Sequence, residues 1–171
     1  MARKDKILNI RELFNLSNKV AIITGGAAGI GFGCAKRLAE GGAVVIIASR
    51  DSKKGREKTN ELINSGFKAD FEKCDVTKEA DLSNVVEKAA KTYGGLDIIV
   101  NNAGIYPHKL VTEMDMETWD KVMKVNLRAV FQFCQKASQQ MIKQKKSGSI
   151  INIASVSSFH PTFGLTAYDT A

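Results

Sequence analysis

The chain has 171 residues, 44% of them apolar and 25% charged, with a formal net charge of +7. One domain is the expectation at this length, with roughly 70% of the unfolded surface buried on folding. The basic excess is scattered over helix faces, Lys143, Lys145 and Lys146 alone grouping at a helix end where cations suit the dipole, and no aromatic-and-basic platform marks a nucleic-acid partner.

Residues 1–12 alternate charged and single apolar positions and read as a flexible N-terminal extension of the one domain, 1–171. They lack the apolar core of a signal peptide. Residues 19–24, Lys-Val-Ala-Ile-Ile-Thr, form a short apolar run of the kind a strand buried on both faces requires. A glycine-rich turn follows, and then Ile30, Cys34 and Leu38 recur at helical spacing until Gly41-Gly42 stops the helix. A second strand is predicted over 43–48. Asp51 caps a polar helix running to about residue 65, and residues 67–74 read as a third strand. Thr77 opens a helix with an apolar stripe of Leu82, Val85, Val86, Ala89 and Ala90, ended by Gly94-Gly95. Residues 96–100 make a fourth strand. After a loop with Pro107, a long helix is predicted from 117 to 143, burying Trp119, Val122, Asn126, Val130, Phe133, Ala137 and Met141. Ser147-Gly148 turns the chain into a fifth strand, 149–154, and a last helix begins at Thr166. Strands alternating with helices imply an α/β fold with a parallel sheet and right-handed crossovers. No run nears the ~20 apolar residues of a membrane span.

The three cysteines, at 34, 74 and 134, form neither a disulfide framework nor a metal-binding pair. Cys34 and Cys134 fall on apolar helix faces as small core residues, which suits a reducing, cytoplasmic setting. His108 and His160 have no partner at metal-ligand spacing, so no catalytic metal is expected.

Polar or glycine residues follow each strand: Thr24-Gly25, Ser49-Arg50, Asp75, Asn101-Asn102-Ala103-Gly104 and Ser155. In an open parallel sheet these carboxyl ends share the edge where ligands bind. The first turn, Thr24-Gly-x-x-x-Gly-x-Gly31, leads into a helix whose N–H groups attract a pyrophosphate. A Cβ at Gly25, Gly29 or Gly31 would block that approach or the packing of helix on strand. A tight strand-to-helix turn with no ligand is the alternative.

That turn, together with Asp75-Val76, Asn101-Asn102-Ala103-Gly104, Asn126, Ser155 and Tyr168, the last two 13 positions apart, resembles the classical short-chain dehydrogenases/reductases. The resemblance runs from Leu13 to Ala171. It implies a Rossmann-type doubly wound sheet, strand order 3-2-1-4-5 over the strands present, with further C-terminal strands and helices missing. It also implies a nicotinamide dinucleotide and a small-molecule alcohol or ketone substrate. The Leu13-Phe14-Asn15-Leu16 opening is similar to bacterial or archaeal members that act on sugars, polyols or 3-oxoacyl groups.

By the same resemblance Tyr168 is the general acid/base. A free phenol, with a pKa of about 10, is too weakly acidic to serve alone near neutrality, and the family adds a lysine four residues on, which here would be position 172. Ser155 would hold the substrate oxygen; a strand-end serine bonding local backbone is the other reading. Asn126 would organise a proton-relay water; otherwise it is a structural amide at a helix kink. Asp75 would face the adenine, with Val76 beside it, or else cap the helix near Thr77. Gly25, Gly29, Ile30 and Gly31 would hold the pyrophosphate, and Asn102, Ala103 and Gly104 the adenosine and nicotinamide-ribose region.

At the end of strand two an acidic residue would accept the ribose 2′-hydroxyl of NAD(H). Ser49 and Arg50 stand there instead. A guanidinium forks onto a phosphate, so NADP(H) is favoured over NAD(H). The expectation is a fragment of a longer cytoplasmic enzyme, a homodimer or homotetramer in full-length form, slow alone. The alternative is a truncated binding module that holds a dinucleotide without catalysis.

Overall fold

Runs of β-branched residues set the centre of the molecule. Val20–Thr24 (β1) and Val44–Ser49 (β2) carry Ile and Val at successive positions, and almost every one is fully buried. Such side chains stand well on a pleated surface, and each full burial is worth about 1.5–3 kcal/mol. The structure, a computed structural model, describes residues 9–171; positions 1–8 of the predicted extension lie outside the described residues. Ile10–Leu13 (α1) closes one helical turn, with the Asn9 and Glu12 side chains each accepting the other's backbone N–H at 3.0 Å, a capping box.

The chain then alternates: β1, Gly29–Glu40 (α2), β2, Ser52–Asn64 (α3), Ala69–Lys73 (β3), Glu79–Tyr93 (α4) and Ile98–Asn101 (β4). A helical stretch of Met116–Val122 (α5) and Ala129–Lys143 (α6) leads to Ser149–Asn152 (β5) and Thr166–Thr170 (α7). The strands form one sheet in the order β3-β2-β1-β4-β5. Every pairing is parallel, with Val20 opposite Val44, Ala21 opposite Ile98, Val45 opposite Ala69 and Ile98 opposite Ser149. This is the Rossmann-type order expected from the sequence.

Because side chains alternate across a strand, the sheet builds two cores. Ile22, Ile46 and Ile99 meet Leu82 and Val85 of α4 and Phe133 of α6. Ile23, Ile47 and Val100 meet Ala35 of α2 and Leu62 of α3. Asp51 caps α3 by accepting the Lys54 N–H at 3.0 Å, and Gly94, at φ +80°, ends α4.

Several boundaries differ from the sequence reading. The third strand begins at Ala69, because the Phe67 N–H closes α3 on the Leu62 carbonyl. Helix α4 begins at Glu79, since residues 75–78 are folded into a turn whose Lys78 N–H bonds the Asp75 carbonyl. The fifth strand stops at Asn152, opposite the last residue of β4. The predicted helix from 117 to 143 is one helical run from Met116, capped by Asp115, but Met123–Arg128 inside it is π-helical. The wider turn shifts the buried stripe by one residue, so that Val125 and Ala129 are buried where Asn126 and Val130 were expected. Of the cysteines, Cys74 is the fully buried one, while Cys34 and Cys134 are half-buried.

Candidate functional site

The five strands among the described residues point the same way, so their exits gather on one edge. Thr24, the last residue of β1, knits two of these exits together. Its hydroxyl accepts the N–H groups of Asn102 at 3.0 Å and Ala103 at 3.1 Å and donates to the Val100 carbonyl at 3.3 Å. Asn102 replies by donating its amide to the carbonyls of Thr24 at 3.1 Å and Gly25 at 3.3 Å. The glycine turn is thereby stitched to the end of β4. Thr24 was part of the motif read from the sequence but had no role there; a hydroxyl closing an otherwise apolar strand was the signal.

Within the turn, Gly29 and Gly31 are required for different reasons. Gly29 sits at φ +51°, and a Cβ there would project into space with no protein atom within 4 Å. Gly31 packs so closely that a Cβ would fall 2.4 Å from Asn102 Nδ2 and 2.6 Å from the Gly25 carbonyl oxygen. The second glycine therefore holds the turn against β4. Helix α2 begins without a side-chain cap and with no acidic residue in its first turn, so its first N–H groups stay open to an anion.

Two cavities open on this edge. One, of about 580 Å³, is lined by Gly25, Ser49, Arg50, Asp75 and Val76 and by Asn102, Ala103 and Gly104. The other, of about 530 Å³, includes Ile30, Tyr106, Asn126, Ser155 and Tyr168 in its wall. Both share the Asn102–Gly104 segment. Of the cofactor and catalytic candidates read from the sequence, all but Gly29 and Gly31 line one of these two cavities, and those two glycines shape the turn at the same edge.

Asp75 serves its local turn, accepting the Thr77 N–H at 3.0 Å and hydroxyl at 2.8 Å, while also lining the first cavity. Partial burial pushes its carboxyl up, but the Thr77 donors, with Arg50 and Lys78 nearby, hold it below the usual range. Cys74 behind it has its thiol pushed up to about 12, first by burial and then by the carboxylates of Asp81, Asp75 and Glu72. It is a packing residue rather than a nucleophile.

Asn126 lies in the π-turn and clasps Ile105 with both ends of its amide. Its Oδ1 accepts the Ile105 N–H at 2.9 Å and its Nδ2 donates to the Ile105 carbonyl at 2.8 Å. Ser155 accepts the Ser157 N–H at 3.1 Å, which leaves its own hydroxyl hydrogen to donate. Tyr168 lies in α7 with its ring edge-on to Tyr106, centroids 6.0 Å apart and planes at 69°. The loop from Ile105 to Thr112 is placed at the substrate pocket by the sequence, but the pairing of its Tyr106 with Tyr168 is brought about only by the fold. Among the described residues no group of three His, Cys, Asp or Glu side chains could hold a metal ion, and no helix is long and apolar enough to cross a membrane.

Fold and edge together define a Rossmann-type α/β protein. Residues 19–171 match the short chain dehydrogenase family, and the chain belongs to it. The chain is 40% identical to a 3-oxoacyl-[acyl-carrier-protein] reductase of Chlamydia muridarum, over 91% of this chain and 63% of that protein. It is 39% identical to 3beta-hydroxysteroid dehydrogenase 2 of Eggerthella lenta, over 90% and 59%. A short-chain type dehydrogenase/reductase from Mycobacterium marinum superposes with a TM-score of 0.92 at 33% identity, over 95% of this chain and 67% of that one. The chain spans about three-fifths of the length of the two sequence relatives.

The family binds NAD(P)(H), and the residues here fit such a dinucleotide. The open first turn of α2 suits its pyrophosphate, and the space above Gly29 is one that a Cβ would fill. The first cavity can take an adenosine between Asp75-Val76 and Ser49-Arg50.

Proposed function

We propose that the chain forms the dinucleotide-binding and Ser155/Tyr168-bearing part of an oxidoreductase that moves a hydride between NADP(H) and an alcohol or carbonyl. The observation that carries this reading is the pair of cavities joined at Asn102–Gly104, with Arg50 in one and Ser155 and Tyr168 in the other. When bound, the dinucleotide supplies the hydride-accepting or hydride-donating nicotinamide. The rest falls to the protein. Ser155 donates its hydroxyl to the substrate oxygen. Tyr168 takes or gives the proton on that oxygen. Asn126 fixes the backbone at Ile105, and so the loop that carries Tyr106.

Arg50 is exposed at the rim, beside the half-buried Ser49, with a guanidinium for the 2′-phosphate and no carboxylate at position 49 to repel it. Sugars, polyols and 3-oxoacyl groups are the substrate types to which the reading extends. It extends also to a cytoplasmic homodimer or homotetramer of the full-length form; the oligomer is supported by a groove on the 116–143 helical run, where Leu127 and Phe131 are exposed beside Asp120, Lys124 and Arg128.

Calorimetric titration tests the cofactor assignment. NADP⁺ should bind the chain more tightly than NAD⁺. Arg50→Ala should weaken NADP⁺ about ten- to a hundredfold, as loss of a charged hydrogen bond does, and leave NAD⁺ unchanged. Equal NADP⁺ affinity in the variant would remove Arg50 from the assignment.

A further inference from the structure

The cavity that carries Ser155 and Tyr168 has fewer free polar groups than its lining suggests. Asn101 donates its amide to Asn152 Oδ1 at 2.9 Å and to Cys134 Sγ at 3.3 Å. The Asn102 amide is held by the carbonyls of Thr24 and Gly25. Both ends of the Asn126 amide are held by Ile105. Among the described residues, the lining side-chain donors left to a ligand are the hydroxyls of Tyr106, Ser155, Ser158 and Tyr168 and the Asn152 amide. The remaining wall is apolar, with Ile30, Leu127, Val130 and Ile153. The segment between Ser155 and Tyr168 adds Phe159 and Phe163, which are 84% and 82% exposed.

Tyr106 has a place of its own in this wall. It is 71% exposed, yet its ring forms a T-shaped pair with that of Tyr168. The loop that bears it is fastened: Lys109 pairs with Leu165 in a parallel bridge, the Lys109 N–H bonds the Gly164 carbonyl at 2.6 Å, and the His108 imidazole lies directly against Gly164. An exposed aromatic ring is thus held against the ring of Tyr168, the residue assigned to proton transfer.

We propose that this mouth selects an alcohol or ketone whose single reacting oxygen is carried on a flat apolar carbon frame, and that Tyr106 is the residue that recognises the frame. The inference rests on the function proposed for the same site and narrows its alcohols and carbonyls to one kind of frame, setting the sugars and polyols aside. One oxygen suffices to engage Ser155 and Tyr168. The frame then covers apolar wall and stacks on an aromatic ring, which is where its affinity arises. A sugar or polyol would set several of its hydroxyls against the apolar part of this wall, where they exchange water for no partner.

Saturation-transfer NMR on the chain with NADP⁺ tests this, using α-tetralone as the flat apolar ketone and sorbitol as the polyol. α-Tetralone should bind at least about tenfold more tightly than sorbitol. Tyr106→Ala should weaken α-tetralone about fivefold, and Tyr106→Phe should keep its affinity. Phe14→Ala, in the separate apolar groove beside Leu38 and Gly41, should change nothing and so places the ligand. Sorbitol binding as well as α-tetralone, no α-tetralone binding, or affinity indifferent to Tyr106→Ala would each overturn the proposal. The NADP⁺ signals separate the two levels. If NADP⁺ binds and α-tetralone fails, only the substrate class falls; if NADP⁺ itself fails to bind, the proposed function falls and takes this inference with it.

Discussion

Single atoms decide two features of the molecule. At Gly31 an added methyl would sit within 2.6 Å of a backbone carbonyl as well as against the Asn102 amide. The carbonyl cannot swing aside as a flexible side chain would. Gly31→Ala should therefore cost about 1–3 kcal/mol by overpacking and open the stitch between the glycine turn and β4. Urea unfolding measures the loss, and NADP⁺ affinity should fall with it; an unchanged midpoint would show that the turn can yield. The second feature is alkaline sensitivity. Burial pushes the Cys74 thiol from 9.0 up to about 12. Burial and the Asp70 carboxylate, which accepts the Tyr93 hydroxyl at 2.9 Å, push that phenol from 10.0 up to about 12. Both folded values lie above the unfolded ones, so the neutral forms contribute stability that is whole below pH 9 and lost as the pH climbs toward 12. Unfolding free energy should fall over that window. Cys74→Ala should flatten the first part of the fall, and an identical slope in the variant would remove Cys74 as a cause.

At the level of elements, what the sequence could reveal depended on how local the cause was. The strands were legible because parallel strands covered on both faces must be apolar throughout, as Val20–Thr24 and Val44–Ser49 are. The glycine turn was legible because backbone approach needs glycine at fixed spacing. The π-turn at Met123–Arg128 was not. Its cause is the Ile105 peptide, whose N–H and carbonyl both bond the Asn126 amide across 21 residues of sequence. Hydrophobic periodicity carries no trace of that bond. The same is true of Tyr106 against Tyr168, which the bridge between Lys109 and Leu165 helps bring together. Asp75 shows a third case, since the turn-capping and cavity-lining readings are compatible in one side chain. If Asn126 clamps the wide turn, Asn126→Ala should leave both Ile105 groups unpaired at a cost of about 1–3 kcal/mol. Hydrogen exchange should quicken at the Ile105 amide and through 123–128 while α4 stays protected. Uniform loosening of the whole chain would instead make Asn126 an ordinary core contact.

For the whole molecule, the decisive asymmetry is between the two margins of the sheet. On one margin β3 is screened by α3 and by Lys88, whose ammonium bridges Asp70 at 2.8 Å and Glu72 at 3.1 Å. Charge of this kind discourages pairing with another chain. On the other margin β5 packs chiefly on β4, and Ile150, Ile151 and Ile153 remain 38%, 42% and 38% exposed. Apolar side chains there stand out on both faces of a strand whose outer backbone groups have no strand beside them among the described residues. Such a margin is a template for association. The chain in dilute buffer should therefore sediment as a mixture whose mean mass rises with concentration. Ile151→Lys places a charge in the middle of the exposed strand and should shift the mixture toward monomer without lowering the unfolding midpoint, since the position is already wetted. A mass that stays monomeric at every concentration, or association that persists unchanged in Ile151→Lys, would acquit β5 and turn attention to the Leu127 and Phe131 groove on α5 and α6.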